Sequence, residues 1–503
     1  MQHSDGQTIL EVQKLNTYFG ETQVVKDLSF AIQKGETVAI IGETGSGKSV
    51  AISSIFNLLE AHIAKVSAEK LVYNDKKNPQ ISLPKDIAIV FQNAQLSLNP
   101  VVKCGVQIKR ILRKQMSLSR VEAEQNTKEL FHKVELNETD RIYHSFPHQL
   151  SGGELQRVMI AMGLACHPEF LILDEPTASL DRIVQIKIID LLKKLKAEEG
   201  LSILLITHDL ALVSDFADRI LHIDKGALIA NQDVDSFFTK SAHQVSQQLV
   251  EQLKDFYNGQ FKVSGNSEDL MDIKELSVQF RSGKYAFKDL SFCIKKGENL
   301  GIIGESGSGK TTLAKCLSGM IPPTEGRISS KVNQRNISYV FQDAYNSVDP
   351  DLSIKAILHE VIRLQEKKRD IGELLASVNL STDILNRKIT ELSGGQRQRV
   401  NLARSLACNP SVLICDEITS GLDLKVQMEI IDLLSSKGDD LTIVFISHDI
   451  SLVKYFCHRV LIMKNGGMEF LGETKHLFEE NQEGYAKELI NSIYKVKYFL
   501  NRY

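Results

Sequence analysis

Residues 11–35 alternate apolar and polar positions, as in Val24-Val25-Lys26-Asp27-Leu28-Ser29-Phe30, and predict a layer of antiparallel strands ending at Lys34-Gly35. The pattern then changes. Nearly unbroken apolar runs at residues 37–41, 87–91, 170–173 and 201–207 predict buried strands. Between them the period becomes helical. After Asp181, Val184, Ile188, Leu191, Leu192 and Leu195 recur at i, i+4, i+7, i+8 and i+11, predicting a helix that packs on a sheet and ends near Gly200. Another helix is predicted over residues 155–166, stopped by Pro168.

The whole pattern occurs twice. Apolar runs return at residues 299–303, 337–341, 412–415 and 441–447, and a second helix over 397–408 is stopped by Pro410. The offset between copies is 262 at the first shared loop, 250 at the next, 242 at Ser151/Ser393 and Asp174/Asp416 and 240 at His208/His448, so the copies differ by 20 residues before Ser151 and Ser393, in a region that reads as surface subdomain. Residues 232–269 shift to Gln, Ser, Asn and Gly, with Asn258-Gly259 and Ser264-Gly265-Asn266-Ser267 read as linker. The expected domains are residues 1–240 and 270–503, with 241–269 read as linker or C-terminal extension of the first.

Each copy carries the same chemistry at its strand ends. Gly42-Glu43-Thr44-Gly45-Ser46-Gly47-Lys48-Ser49 and Gly304-Glu305-Ser306-Gly307-Ser308-Gly309-Lys310-Thr311 follow a strand and open a helix. Glycines at 42, 45 and 47, and at 304, 307 and 309, let backbone amides face a polyphosphate; the Lys reaches its outer phosphates and the Ser or Thr a magnesium ion. A Gly-rich turn that binds nothing is the bland alternative, and the shared strand–helix context argues against it. Gln92 and Gln342 each open a loop after a strand, a feature without meaning alone. Leu150-Ser151-Gly152-Gly153-Glu154 and Leu392-Ser393-Gly394-Gly395-Gln396 put Ser and Gly amides at a helix N-terminus, a second anion site. Asp174-Glu175 and Asp416-Glu417 end apolar strands, which suits magnesium and water activation better than surface charge. His208 and His448 follow the next strands; one such His is usually a packing residue, but two at ligand-binding sheet edges are not. Phe19 and Phe280 lie 23 and 24 residues before the glycine loops, and either stacks on a nucleobase or fills the core.

Composition narrows the setting. With 60 basic and 63 acidic residues and a net charge of -3, no nucleic-acid surface is expected. The polar first ten residues do not read as a secretory signal, and the nearest apolar stretch, residues 50–66, is broken by Asn57, Glu60, His62 and Lys65. A cytosolic chain without a membrane span is the expectation. Seven scattered cysteines, never spaced as CxxC, read as reduced core thiols rather than a metal site.

Glycine loop, Gln loop, LSGGE or LSGGQ, apolar-Asp-Glu and His, in one order twice, resemble the ATP-binding cassette ATPases over nearly the whole chain. The loops Ala178-Ser179-Leu180-Asp181 and Ser420-Gly421-Leu422-Asp423 belong to the same pattern. The resemblance implies an α/β fold of the P-loop NTPase type: two tandem nucleotide-binding domains, each a RecA-like mixed-sheet core with antiparallel-β and α-helical subdomains. It implies ATP and Mg2+ as cofactors. Lys48 and Lys310 then hold β- and γ-phosphates, Ser49, Thr311, Asp174 and Asp416 serve the metal, and Gln92 and Gln342 link the metal or the attacking water to a membrane partner. Glu175 and Glu417 act as general bases, and His208 and His448 touch the γ-phosphate. By the same resemblance the cassettes pair head to tail within one chain, Ser151, Gly152 and Gly153 or Ser393, Gly394 and Gly395 closing the other copy's nucleotide.

Phe91-Gln92 followed by Ser97-Leu98-Asn99-Pro100 looks like the oligopeptide, dipeptide and nickel importer branch, with Ser347-Val348-Asp349-Pro350 a looser version. That branch implies a bacterial subunit peripheral to the cytoplasmic face of the cell membrane. Its partners are two permease subunits and an extracellular solute-binding protein, with a peptide, a glutathione-like peptide or a nickel complex as cargo. Glu154 replaces the commoner Gln, and both sites are expected to be active. Tandem translation factors and sugar-importer ATPases are the alternatives, the first usually with a long charged linker and the second commonly with one degraded site; neither trait is visible here.

Overall fold

Alternation becomes a sheet where Thr8–Phe19 pairs antiparallel with Thr22–Gln33, Lys65–Ser67 and Lys70–Tyr73, its apolar positions turned to one side. Residues 7–60, 62–74, 76–77, 86–91, 94–178, 180–259, 268–345, 347–364, 369–438, 440–479 and 482–500 are described by the computed structural model. They fall into two units, Met1–Leu253 with Val496–Tyr503, and Lys254–Lys495.

In the first unit the unbroken apolar runs make the second sheet. Its spatial order is Ala227–Asp233, Arg219–Asp224, Thr37–Ile41, Ser202–Ile206, Phe170–Asp174 and Ile87–Val90. All neighbours are parallel except the Ala227–Asp233 hairpin strand, so the sheet is mixed. Successive residues of one strand serve different cores. Phe170 and Ile172 pack with Ile9, Leu28 and Phe56 against the antiparallel layer, whereas Leu171 and Leu173 pack with Phe131, Ile160 and Ile188 on the helical side. The second unit repeats this with Ile337–Val340, Val412–Asp416, Thr442–Ile446, Asn299–Gly304, Arg459–Lys464 and Gly467–Glu473.

The length difference between copies is spent in two places. Lys65–Ser67, Lys70–Tyr73 and Lys76–Lys77 in the first antiparallel layer are answered by the single strand Glu325–Ser330 in the second. Helices Cys104–Gln115 and Arg120–Lys133, of 12 and 14 residues, are answered by Ile354–Ile362 and Ile371–Ala376, of 9 and 6.

Two helices begin earlier than their apolar periods predict. They run over Gly152–Leu164 and Gly394–Leu406, because Ser151 with Glu154, and Ser393 with Gln396, form reciprocal capping boxes that draw the paired glycines into the first turn. The Asp181 helix spans Arg182–Glu199 and ends on Gly200 at φ 66. Residues Gln244–Asn258 form a helix whose Val250, Leu253 and Phe256 are buried. Residues 264–267, read as linker, lie outside the described residues, as does Ser179. The seven cysteines form no disulfide; four are buried and three partly so.

Candidate functional site

In each unit the carboxyl ends of the parallel strands deliver the chemistry to one sheet edge. Thr37–Ile41 runs into the first glycine loop, whose helix starts at Lys48, and Asn299–Gly304 into the second, whose helix starts at Lys310. Only glycine fits the loop ends. Gly47 and Gly309 both sit at φ 99, and a Cβ on Gly309 would lie 2.5 Å from the Ala286 carbonyl. A Cβ on Gly42 or Gly304 would fall 2.2 Å from the carbonyl of Ile223 or Met463. Gly45 and Gly307, at φ 86 and 84, have open space beside them.

The loops fit a bound polyphosphate by a direct test: the Ser46 and Ser308 hydroxyls are buried with no protein partner. Lys48 Nζ donates to the carbonyls of Gly42 and Glu43 at 2.8 and 3.0 Å, and Lys310 Nζ to Gly304 and Glu305 at 2.8 and 2.9 Å. Each buried ammonium is thereby held over its own loop. Beside it, Ser49 Oγ donates to Asp174 Oδ1 and Thr311 Oγ1 to Asp416 Oδ1, each at 3.3 Å. Hydroxyl and carboxylate oxygens are a hard donor set that suits Mg2+.

Glu175 and Glu417 lie one residue beyond their strands in the left-handed region, φ 46 and 48, with their amides anchored on Ile206 and Ile446 carbonyls at 2.8 and 3.0 Å. That unusual backbone turns each side chain to the adjoining His. His208 Nδ1 is 3.3 Å from Glu175 Oε1, and His448 Nδ1 is 3.8 Å from Glu417 Oε2. Burial pushes both glutamates up, but the histidine bond and charge together with the loop lysine bring them net below their ordinary value. Burial likewise pushes both histidines down, and the glutamates bring them net above. Asp174 and Asp416 go the other way: burial and the adjacent glutamate raise them.

Gln342 Nε2 donates to Glu417 Oε2 at 2.8 Å; Gln92 lies outside the described residues. Ser151 and Ser393 cap their helices, while Gly152, Gly153, Gly394 and Gly395 fill the first turns, a Cβ on Gly153 or Gly395 coming 2.8 or 2.7 Å from Val184 or Val426. Phe19 ends its strand half-buried, and Phe280 is 50% exposed. Neither is a sealed core ring.

Two neighbours were not apparent from the motifs. Tyr339 Oη donates to Asp416 Oδ2 at 2.6 Å, and Arg182 pairs with Asp209, the residue after His208. Both could have been found by setting the copies side by side, since Tyr339 stands opposite Ile89 and Arg182 opposite Leu424.

Fold and site together define a P-loop ATPase with two nucleotide-binding units in one chain. The family profile described as ABC transporter matches residues 25–178 and 287–420. The glutathione import ATP-binding protein GsiA of Escherichia coli strain K12 is 33% identical over 98% of this chain and 91% of its own. The peptidoglycan transport ATP-binding protein YejF of Agrobacterium fabrum is 34% identical over 99% and 98%. Among solved structures, a model of ribosome-bound archaeal Pelota and ABCE1 shares the fold, with TM-score 0.65, 20% identity and coverage of 92% of this chain and 79% of that one. The chain belongs to the ABC transporter family, as a tandem ATP-binding protein with ATPase activity.

Proposed function

We propose that this chain is the energy-coupling ATPase of an importer for short peptides, glutathione-like peptides included, acting through separate permease subunits at the cytoplasmic face of the membrane. The observation that carries the reading is the recurrence, in both units, of a loop lysine, a hydroxyl–aspartate pair and a glutamate–histidine pair, in a chain 33–34% identical, over nearly its whole length, to proteins named for glutathione import and peptidoglycan transport. None of the described helices is long and apolar enough to cross a membrane, which fits a subunit that needs permeases for the passage. An extracellular binding protein would supply the solute.

In each cassette the loop amides, Ser46 or Ser308 and Lys48 or Lys310 bind the phosphates, and Phe19 or Phe280 stacks on the base. Ser49 with Asp174, and Thr311 with Asp416, hold Mg2+. When bound, that ion neutralises charge on the phosphates. Glu175 or Glu417 takes the proton of the attacking water, and His208 or His448 orients that glutamate and meets the γ-phosphate. Gln92 and Gln342 relay the state of the site to a permease. The amides at Ser151–Gly153 and Ser393–Gly395 are further phosphate donors.

Uptake of labelled glutathione, a labelled tripeptide and nickel is the test, in cells whose only copy carries Lys48→Ala and Lys310→Ala. Loss of peptide uptake alone is expected. Loss of nickel uptake alone would move the cargo, and normal uptake with altered ribosome profiles would replace the importer reading with a translation factor.

A further inference from the structure

We propose that Tyr339 is a positioning residue for Asp416, and that it lets the second cassette hold its nucleotide-bound divalent cation at lower metal concentration than the first. The inference rests on the reading of Asp416 as metal-supporting. Tyr339 lies on Ile337–Val340 directly opposite Ile414, two residues before Asp416 on the neighbouring strand and hence on the same face of the sheet. Its phenol donates to Asp416 Oδ2 at 2.6 Å, while Thr311 occupies Oδ1 at 3.3 Å. Both carboxylate oxygens are therefore fixed, and the plane of the group with them. A bond of this length to a charged oxygen is of the strong kind.

Water cannot readily take over the bond. Tyr339 is 8% exposed, its ring packs on Phe341 with centroids 4.7 Å apart, and it belongs to the apolar cluster of Leu300, Ile302 and Ile414. In the first cassette Ile89 fills the same register, opposite Ile172, and has nothing to donate. Among the described residues Asp174 is bonded by Ser49 alone. Outer partners of this type orient a ligating carboxylate, and losing one commonly costs about 10- to 100-fold in metal affinity.

The test uses the full chain with Lys48→Ala, so that only the second loop reports, and a non-hydrolysable ATP analogue. Mn2+ binding is titrated by electron paramagnetic resonance, and nucleotide binding is measured separately in EDTA. Tyr339→Phe is expected to raise half-saturating Mn2+ about tenfold and to leave metal-free nucleotide binding unchanged, a split that mere disruption of the fold would not produce. In the converse background, Lys310→Ala with Ile89→Tyr is expected to lower the Mn2+ requirement of the first loop; this arm decides if Tyr339→Phe proves misfolded. Titrations of Tyr339→Phe that superimpose on those of the parent, while Asp416→Asn still weakens Mn2+ binding, overturn the inference and leave the site reading standing. An Asp416→Asn chain that binds Mn2+ like the parent overturns the reading beneath it.

Discussion

The two candidate sites repeat each other closely at the loop lysine, the hydroxyl–aspartate pair and the glutamate, and diverge in the residues behind them. Lysine over its loop carbonyls, hydroxyl on aspartate and glutamate in the left-handed region differ little between copies. Behind them, Ile89 stands against Tyr339, Arg182 against Leu424, His222 against Ile462 and Glu154 against Gln396. On the proposed roles, groups that meet the same ligand are held to the same geometry, whereas groups that only support them can be exchanged for others of similar fit. The copies are two versions of one site with different internal supports.

The largest effect should fall where the copies agree. On the proposed roles, Glu175→Gln and Glu417→Gln each remove a positioned base, which contributes about 10²- to 10⁴-fold. Steady-state ATPase of the purified double variant is expected to fall by that order. Near-parental turnover would end the assignment of both glutamates.

A second way to separate the copies is acid. His222 is buried with Nδ1 2.7 Å from Ser246 Oγ, and burial lowers it from 6.5 to about 4, with Asp224 opposing and His243 and Lys48 reinforcing. Its counterpart Ile462 cannot titrate. The unfolded chain takes up the His222 proton below pH 6.5 and the folded unit only near 4, so the folded state loses stability as pH falls through that interval and keeps it above. The loss reaches about 3 kcal/mol at the acid end. Thermal unfolding of His222→Gln should show a flatter pH profile between 6.5 and 4 than the parent; parallel profiles would remove His222 as the cause.

What the sequence could and could not convey follows the same line between contact and support. Glycine loops, acidic strand ends and terminal histidines were legible because each is a fixed residue type at a fixed distance from an apolar run, as Lys48, Asp174 and His208 are. The left-handed backbone of Glu175 and Glu417 was not, since glutamate carries no preference for it and the fold imposes it through the anchored amide. Tyr339 was hidden for another reason: an aromatic in an apolar run reads as core, and it is core, apart from one hydroxyl. The helix Gln244–Asn258 was obscured by its glutamines and serines, which suggest linker until Val250, Leu253 and Phe256 are seen on one buried side.

Arg182 gives a smaller separation. Its guanidinium is buried, and it pairs with Asp209, whose other oxygen caps the following helix by accepting from Ala211 and Leu212 amides at 3.0 and 3.1 Å. The second cassette caps the same helix with Asp449 and does without the arginine. Arg182→Leu is therefore expected to lower stability by about 2 kcal/mol, the size of a charged hydrogen bond, without abolishing ATPase, because the cap survives. Differential scanning calorimetry reads the shift. A collapse of turnover at unchanged melting temperature would instead make Arg182 part of the His208 chemistry.

The smallest effect is expected at Glu154, the one signature position where the copies differ. Its carboxylate accepts from the Ser151 amide and hydroxyl, both at 2.9 Å, and from Arg141. Gln396 does the first of these with an amide oxygen at 3.0 Å from Ser393 N. Glu154→Gln thus keeps the capping box and loses an ion pair to an arginine whose side chain is 45% exposed, and such pairs are worth about 0.2–1 kcal/mol. Melting temperature should move by no more than about 2–4 °C, and ATPase should stay within about twofold. A larger rise in turnover would show that Glu154 restrains the Ser151 hydroxyl, its hydrogen-bond donor, from a phosphate, and would make this substitution a functional difference between the cassettes beside that of Tyr339.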